Sequence, residues 1–229
     1  NYAIHGKDYD LAGEIISRHR HEKLNEDKWW IVKKWLKRIP AEIIHGDSEL
    51  LSAQLFAYAD SYRFREMVPL IQLLEYKLKL DPDPIIQREF YFHTGFIGLW
   101  LECDAPKALK NLKTSRSILG KNDIISRRLA FYEAVALQMD GRSEEALKGL
   151  RKLVGHKNSV YVTLDHAVII VFLLSGNINS SISQGQYFRI LMNQANNVHL
   201  EAWANYLYGN AVFQNFGATE AEKAFGNAL

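Results

Sequence analysis

Cysteine is nearly absent: Cys103 is the sole one. One thiol can neither close an internal disulfide nor supply a thiolate metal site by itself, so a reducing, cytoplasmic setting is expected. Proline is sparse too, with five in 229 residues, which leaves long stretches free to be helical. Long apolar runs are missing. The longest, Ala167 to Leu174, is far short of the about 20 residues that a membrane-spanning helix requires. Charge of one sign is also lacking: 28 Lys and Arg against 26 Asp and Glu leave +2. No global field draws the chain to polyanions, and neither nucleic acid nor membrane is expected as a partner. There is no Gly-x-x-x-x-Gly-Lys-Ser/Thr loop, because Gly120-Lys121 lacks both the upstream glycine and the following hydroxyl. With no recognisable helix-turn-helix either, ATP hydrolysis and DNA binding are not assigned to these residues. No signal peptide opens the chain, which runs from Asn1 to Leu229 and stops inside a periodic pattern, so it reads as a piece of a longer protein.

What is present is apolar spacing of three and four, nearly everywhere, with 48% hydrophobic residues. Punctuation is regular at Gly6-Lys7-Asp8, Gly46-Asp47-Ser48, Asp81-Pro82-Asp83-Pro84, Gly120-Lys121-Asn122-Asp123, Asp140-Gly141-Arg142-Ser143 and Gly176-Asn177. About a dozen helices joined by short loops are predicted. "VYVTLDHAVIIVFLL" is the one stretch rich enough in β-branched residues to be a strand; its length and neighbours favour a buried helix.

The helices repeat. A small residue followed by a large one four later sits in the second helix of three pairs, Ala108 and Leu112, Ala146 and Leu150, Ala221 and Phe225, and a degraded version, Ser181 and Gly185, in the other. Matching positions in the preceding helices are Phe96 and Leu99, Ala134 and Leu137, Ile169 and Phe172, Gly209 and Val212. Small residues let two helices approach, and the large one fills the gap to the next pair. The anchors lie 38, 35 and 40 residues apart, longer than the about 34 of tetratricopeptide units. The prediction is an all-α fold: a right-handed superhelix of antiparallel helix pairs, a tetratricopeptide-like solenoid. It would form one domain over 1–229, with N-terminal helix pairs in 1–80 and about four irregular repeats in 85–229.

"DKWWIVKKWLKRIP", Asp27 to Pro40, holds three tryptophans and five basic residues. On a helix, Val32, Trp35, Leu36 and Ile39 share one face and the cations take the rest. A membrane-surface helix looks similar. Here Pro40 stops or kinks the helix, Ala41 to Ile44 resume it, and Leu50 to Ala59 supply an apolar partner. The stripe is therefore expected to pack in the core.

"WWIVKKWLKRIPAEIIHGDSELLSAQLFAYA" resembles the Trp-Leu-x-x-(Leu/Ile)-Pro block of the MalT-like, LuxR-type ATP-dependent transcriptional regulators, through Trp35, Leu36, Ile39, Pro40, Ile43, Ile44, Leu50, Ala53 and Ala57. Asp8, Leu11 and Ala12 are similar to that family's entry to the region. The resemblance implies a sensor superhelix between an ATP-binding switch and a DNA-binding domain. It would bind a small-molecule inducer or a regulatory protein or peptide, and so control self-association and transcription. A stand-alone tetratricopeptide adaptor is the alternative.

In a stack of helix pairs the first helix of each lines the concave face. That gives Phe90, His93, Ile97 and Trp100; Arg128, Phe131, Val135 and Gln138; Thr163, His166, Ile170 and Leu173; Trp203, Tyr206, Asn210 and Phe213. Rings, imidazoles and amides on one groove suit a peptide or small polar ligand, although each of these side chains has a competing role in packing. No cofactor is expected, no metal and no enzymatic activity. His19 and His21 project about 200° apart on a helix, and no carboxylate or nucleophile at useful spacing accompanies His93 or His166. Cys103 reads as a small packing residue.

Overall fold

The computed structural model describes residues 6–25, 28–118, 125–154, 163–194 and 198–227, with the side chains of 25, 127, 151–154, 163–167, 194 and 198–200 outside that description. Thirteen helices occupy these residues, and no strand stands among them. They are α1 (Tyr9–Asn25), α2 (Trp29–Leu36), α3 (Ala41–Gly46), α4 (Ser48–Asp60), α5 (Phe64–Leu80), α6 (Pro84–Trp100), α7 (Ala105–Ile118), α8 (Ser126–Met139), α9 (Ser143–Val154), α10 (Thr163–Leu174), α11 (Ile178–Gln194), α12 (Val198–Phe216) and α13 (Ala218–Gly226). The β-branched run after Thr163 is helical, and the turn at 120–123 lies outside the described residues.

The turn chemistry accounts for many of the boundaries. Asp47 caps α4 by accepting from the amides of Glu49 and Leu50, and Asp83 caps α6 in the same way through Ile85 and Ile86. Pro84 sits at the start of α6, where its missing N–H costs nothing. Gly141 and Gly176, at φ of 76° and 74°, close the turns before α9 and α11, where a side chain would be strained.

The chain divides into two compact units, Asn1–Leu129 and Ala130–Leu229. The division falls within α8 and not at the Asp81–Pro84 turn, because α5 packs on α6 and α4 packs on α6 across that turn. In the first unit α4 is central, packed by α1, α2, α3, α5 and α6. Leu50, Leu51, Leu55 and Phe56 are buried on different sides of it. Each such side chain contributes about 1.5–3 kcal/mol through removal from water. Ala53, Ala57, Ala59 and Ser52 fill the rest of its surface and let its neighbours approach. The tryptophan-rich helix joins this core: Val32, Leu36 and Ile39 are buried, and Trp29 and Trp35 are half-buried.

Pairing of α6 with α7 is close. A Cβ on Gly95 would lie 2.7 Å from Cγ of Leu112, and one on Gly98 would lie 3.4 Å from Cα of Ala108. In the second unit, α10 packs on α11 and α12, and α12 packs on α11 and α13. Ile169, Phe188, Met192, Ala204 and Leu207 form a core there. Ala108, Ala146, Ser181 and Ala221, the small residues at the predicted anchor positions, are completely buried. Ser181 keeps its hydroxyl satisfied by donating to the carbonyl of Ile169 at 3.2 Å. Cys103 differs from its expectation: it is exposed, in the tight turn between α6 and α7 with φ of 56°, so it does not pack.

Candidate functional site

α6 carries Glu89 and His93 one turn apart, both completely buried. α4 brings Ser52 between them, and α1 brings Arg20 and His21. Oε1 of Glu89 accepts from His21 Nε2 at 2.7 Å and from Arg20 at 3.2 Å. Oε2 of Glu89 accepts the Ser52 hydroxyl at 2.5 Å, and Ser52 Oγ also stands 3.2 Å from His93 Nε2. Arg20 continues to Glu49 at 3.1 Å and to the carbonyl of Ser17. The expectation that His93 has no carboxylate or nucleophile nearby is thus corrected: it has both, one on its own helix and one from a helix 41 positions earlier.

Burial by itself would raise the Glu89 pKa. The hydrogen bond from His21, the charges of Arg20 and His21 and the Ser52 hydroxyl overcome it and hold Glu89 at about 2. His93 is pushed the other way from its usual range. Burial, with the Arg128 and His21 charges, lowers it to about 3 against the opposing pull of Glu89, so the imidazole is neutral.

Proton counting then fixes the roles. Ser52 has one proton, and the ionised Glu89 carboxylate can only accept, so the hydroxyl proton goes to Glu89. His93 Nε2 must therefore carry the hydrogen and donate to Ser52 Oγ. Nδ1 is left as a bare acceptor, and it is buried with no hydrogen-bond partner. In a serine hydrolase relay the acid holds Nδ1–H and Nε2 takes the hydroxyl proton. Here the acid takes that proton itself, and Ser52, Glu89 and His93 are all closed to solvent. The cluster ties α1, α4 and α6 together; its hydrogen-bond order is not that of a nucleophilic triad.

Above it lies an open cleft of about 580 Å³, lined by Asp10, Glu14, Ser17, Arg18, Arg20, His21, Asp47, Glu49 and Ile85. Glu14 pairs with Arg18, and Arg20 with Glu49. No group of three or more His, Cys, Asp or Glu side chains placed to hold a metal ion occurs among the described residues.

The predicted groove residues separate into two sets. His93 and Arg128 come together against Phe56, with His93 at 4.4 Å and the Arg128 guanidinium at 5.9 Å from its ring. They do so inside the first unit and not on a face. Arg128 grips both oxygens of Asp60, at 2.9 and 3.1 Å, and donates to the carbonyl of Leu24 at 2.7 Å. Phe90 is half-buried on α6, while Trp100, at the end of that helix, is exposed and touches Phe96. In the second unit Phe131 is buried against Tyr132, and Gln138 is half-buried. The side chain of His166 lies outside the described residues.

The remaining set stays contiguous. On α12 the rings of Trp203 and Tyr206 meet edge to face at 5.6 Å, Tyr206 leans on Phe225 of α13, and Asn210 donates to the carbonyl of Tyr206. Tyr206 is 48% exposed and Phe213 is 54% exposed. Sequence reasoning did not single out Ser52 or Glu89, and it weighed His21 only as a metal ligand with His19. The available signal was a charged pair, Arg88-Glu89, inside the apolar run of α6.

Comparison with protein-family models, with curated proteins and with solved structures finds no match to this chain. No helix among the described residues is long and apolar enough to cross a membrane.

Proposed function

We propose that the chain is a tetratricopeptide-like recognition module, its helix pairs stacked as a right-handed superhelix, serving as the ligand-sensing or protein-interaction region of a MalT-like transcriptional regulator. The observation that carries the reading is one face of α12, where Tyr206 and Phe213 are exposed beside half-buried Asn210 and Trp203, with Trp203 also packed on the core and Tyr206 braced by Phe225. Rings that contact apolar surface beside an amide that bonds polar edges suit a peptide or a small polar inducer. Complete burial of the four repeat anchors supports the helix-pair arrangement, and the Trp35-to-Ala57 block supports the family. The module binds, and its bound state controls self-association of the parent chain; catalysis belongs elsewhere.

A thermal-shift screen of small polar compounds and short peptides tests the recognition reading, since a ligand of the folded state raises Tm. A hit whose shift disappears in Tyr206→Ala and in Trp203→Ala, with helicity unchanged, supports it. A hit indifferent to both removes this face from consideration. The coding sequence around this region tests the family. A phosphate-binding loop upstream and a helix-turn-helix downstream are expected, and finding neither favours a stand-alone adaptor.

A further inference from the structure

The tryptophan-rich helix α2 uses only half of its surface in the core. Val32 and Leu36 are buried, and the helix packs on α1 and α4. At about 100° per residue, the direction opposite that pair belongs to Trp30, Lys34 and Lys37. All three are exposed, Trp30 by 43%. The indole is not loose: Trp29 holds it edge-on at 6.1 Å, and Lys33 in turn sits over Trp29 at 5.4 Å. Lys34 and Lys37 have no ion-pair partner among the described residues. Lys28 and Arg38 lie exposed at either end, and residues 28–41 contain five cations and no acid. A chain with a net charge of only +2 has thus gathered cations on one short helix, around a large ring left in water.

We propose that this face of α2 docks on the surface of a membrane carrying anionic phospholipid, with Trp30 at headgroup level and Lys34 and Lys37 on the phosphates. The sign of the charge fits that partner, since basic side chains at such a surface are drawn to its phosphates. Indole side chains prefer the headgroup layer. The face is the back of a single helix with one exposed ring. A nucleic acid strand calls for a groove along its backbone and several rings for successive bases, so the membrane is the better match. Because the apolar side of α2 is already committed to α1 and α4, the helix rests on the headgroups and does not enter the acyl layer. The attachment is therefore reversible and weakens with salt.

Co-sedimentation of the full chain with vesicles of phosphatidylcholine alone and of phosphatidylcholine with phosphatidylserine tests this. Binding is expected only to the second, weakened about tenfold or more by the pair Lys34→Glu and Lys37→Glu and reduced by Trp30→Ala. The pair Lys34→Arg and Lys37→Arg should bind like the original. Lys34 and Lys37 are exposed, so melting of the lysine variants, monitored by circular dichroism, should change little, whereas Trp30→Ala also loses its contact with Trp29. Three results would overturn the proposal. One is no binding to the anionic vesicles, and another is undiminished binding by the charge-reversed chain. The third is binding to a single-stranded oligonucleotide, read by anisotropy, with none to the vesicles.

Discussion

Ser52 donates its only proton to Glu89 across 2.5 Å, from the middle of one buried helix to the middle of another. A serine inside the apolar run "LLSAQLFA" is thereby fixed as a structural donor. Ser52→Ala should leave Oε2 of Glu89 and the ring N–H of His93 without partners. At about 1–3 kcal/mol for each buried polar group left unsatisfied, urea unfolding should show a clear loss. Glu89→Ala should cost more, about 3–5 kcal/mol, because it leaves the buried guanidinium of Arg20 with a missing counter-charge. A midpoint unchanged in both variants would contradict the network.

Acid should weaken the first unit in two overlapping steps. Unfolded, His93 takes up a proton near its ordinary 6.5, and folded it does so only near 3. Between those values the unfolded chain holds the extra proton, so stability falls as pH falls. Glu89 acts in the same direction: its stabilisation is complete above 4.5 and disappears as pH drops toward 2. Each group contributes a slope of about 1.4 kcal/mol per pH unit within its own window. His93→Gln should flatten the upper window when Tm is followed against pH, and leave the lower one in place.

Three glycine-to-alanine changes should behave differently. In Gly95→Ala the new methyl meets the fully buried Leu112 at 2.7 Å and the backbone of Ala108 at 3.2 Å, neither free to withdraw. A loss of about 1–3 kcal/mol is expected. In Gly209→Ala the obstacle is the ring edge of Phe225 at 2.6 Å, which is only half-buried and can swing outward. The cost should be smaller and should couple to Phe225→Leu in a double-mutant cycle. Gly149 on α9 has nothing within 4 Å, so Gly149→Ala should stabilise by about 0.5–1 kcal/mol through helix propensity alone.

Arg128→Met should release the carboxylate of Asp60 and the carbonyl of Leu24 at once. Asp60 is mostly buried, so the variant should lose about 3–5 kcal/mol. Asp60→Asn, which keeps a hydrogen-bond acceptor, should lose less. Chemical denaturation with helicity as the readout distinguishes the two.

Helix boundaries were the legible part of this chain, because the residues that set them act within a turn of themselves. Asp47, Asp83, Pro84, Gly141 and Gly176 each do locally what their chemistry predicts. Burial of Ala108, Ala146, Ser181 and Ala221 was also readable, since close helix packing demands small side chains. The polar cluster was not. Glu89 and Ser52 look like ordinary helical residues until two helices 37 positions apart in sequence are brought into contact. Periodicity assigned His93 to a groove. It faces inward because Glu89, one turn earlier on α6, turns the same side of the helix toward Ser52. Arg128 was misread for a similar reason: its partners are 68 and 104 positions away, and no local pattern announces them.

That last distance bears on how the protein is made. A guanidinium at position 128 that closes onto a carbonyl at position 24 cannot act until the ribosome has delivered both. Asp60 likewise gains its guanidinium partner only with the residue 68 positions further along. A chain cut off before α8 would therefore leave the Leu24 carbonyl and the Asp60 carboxylate without this partner.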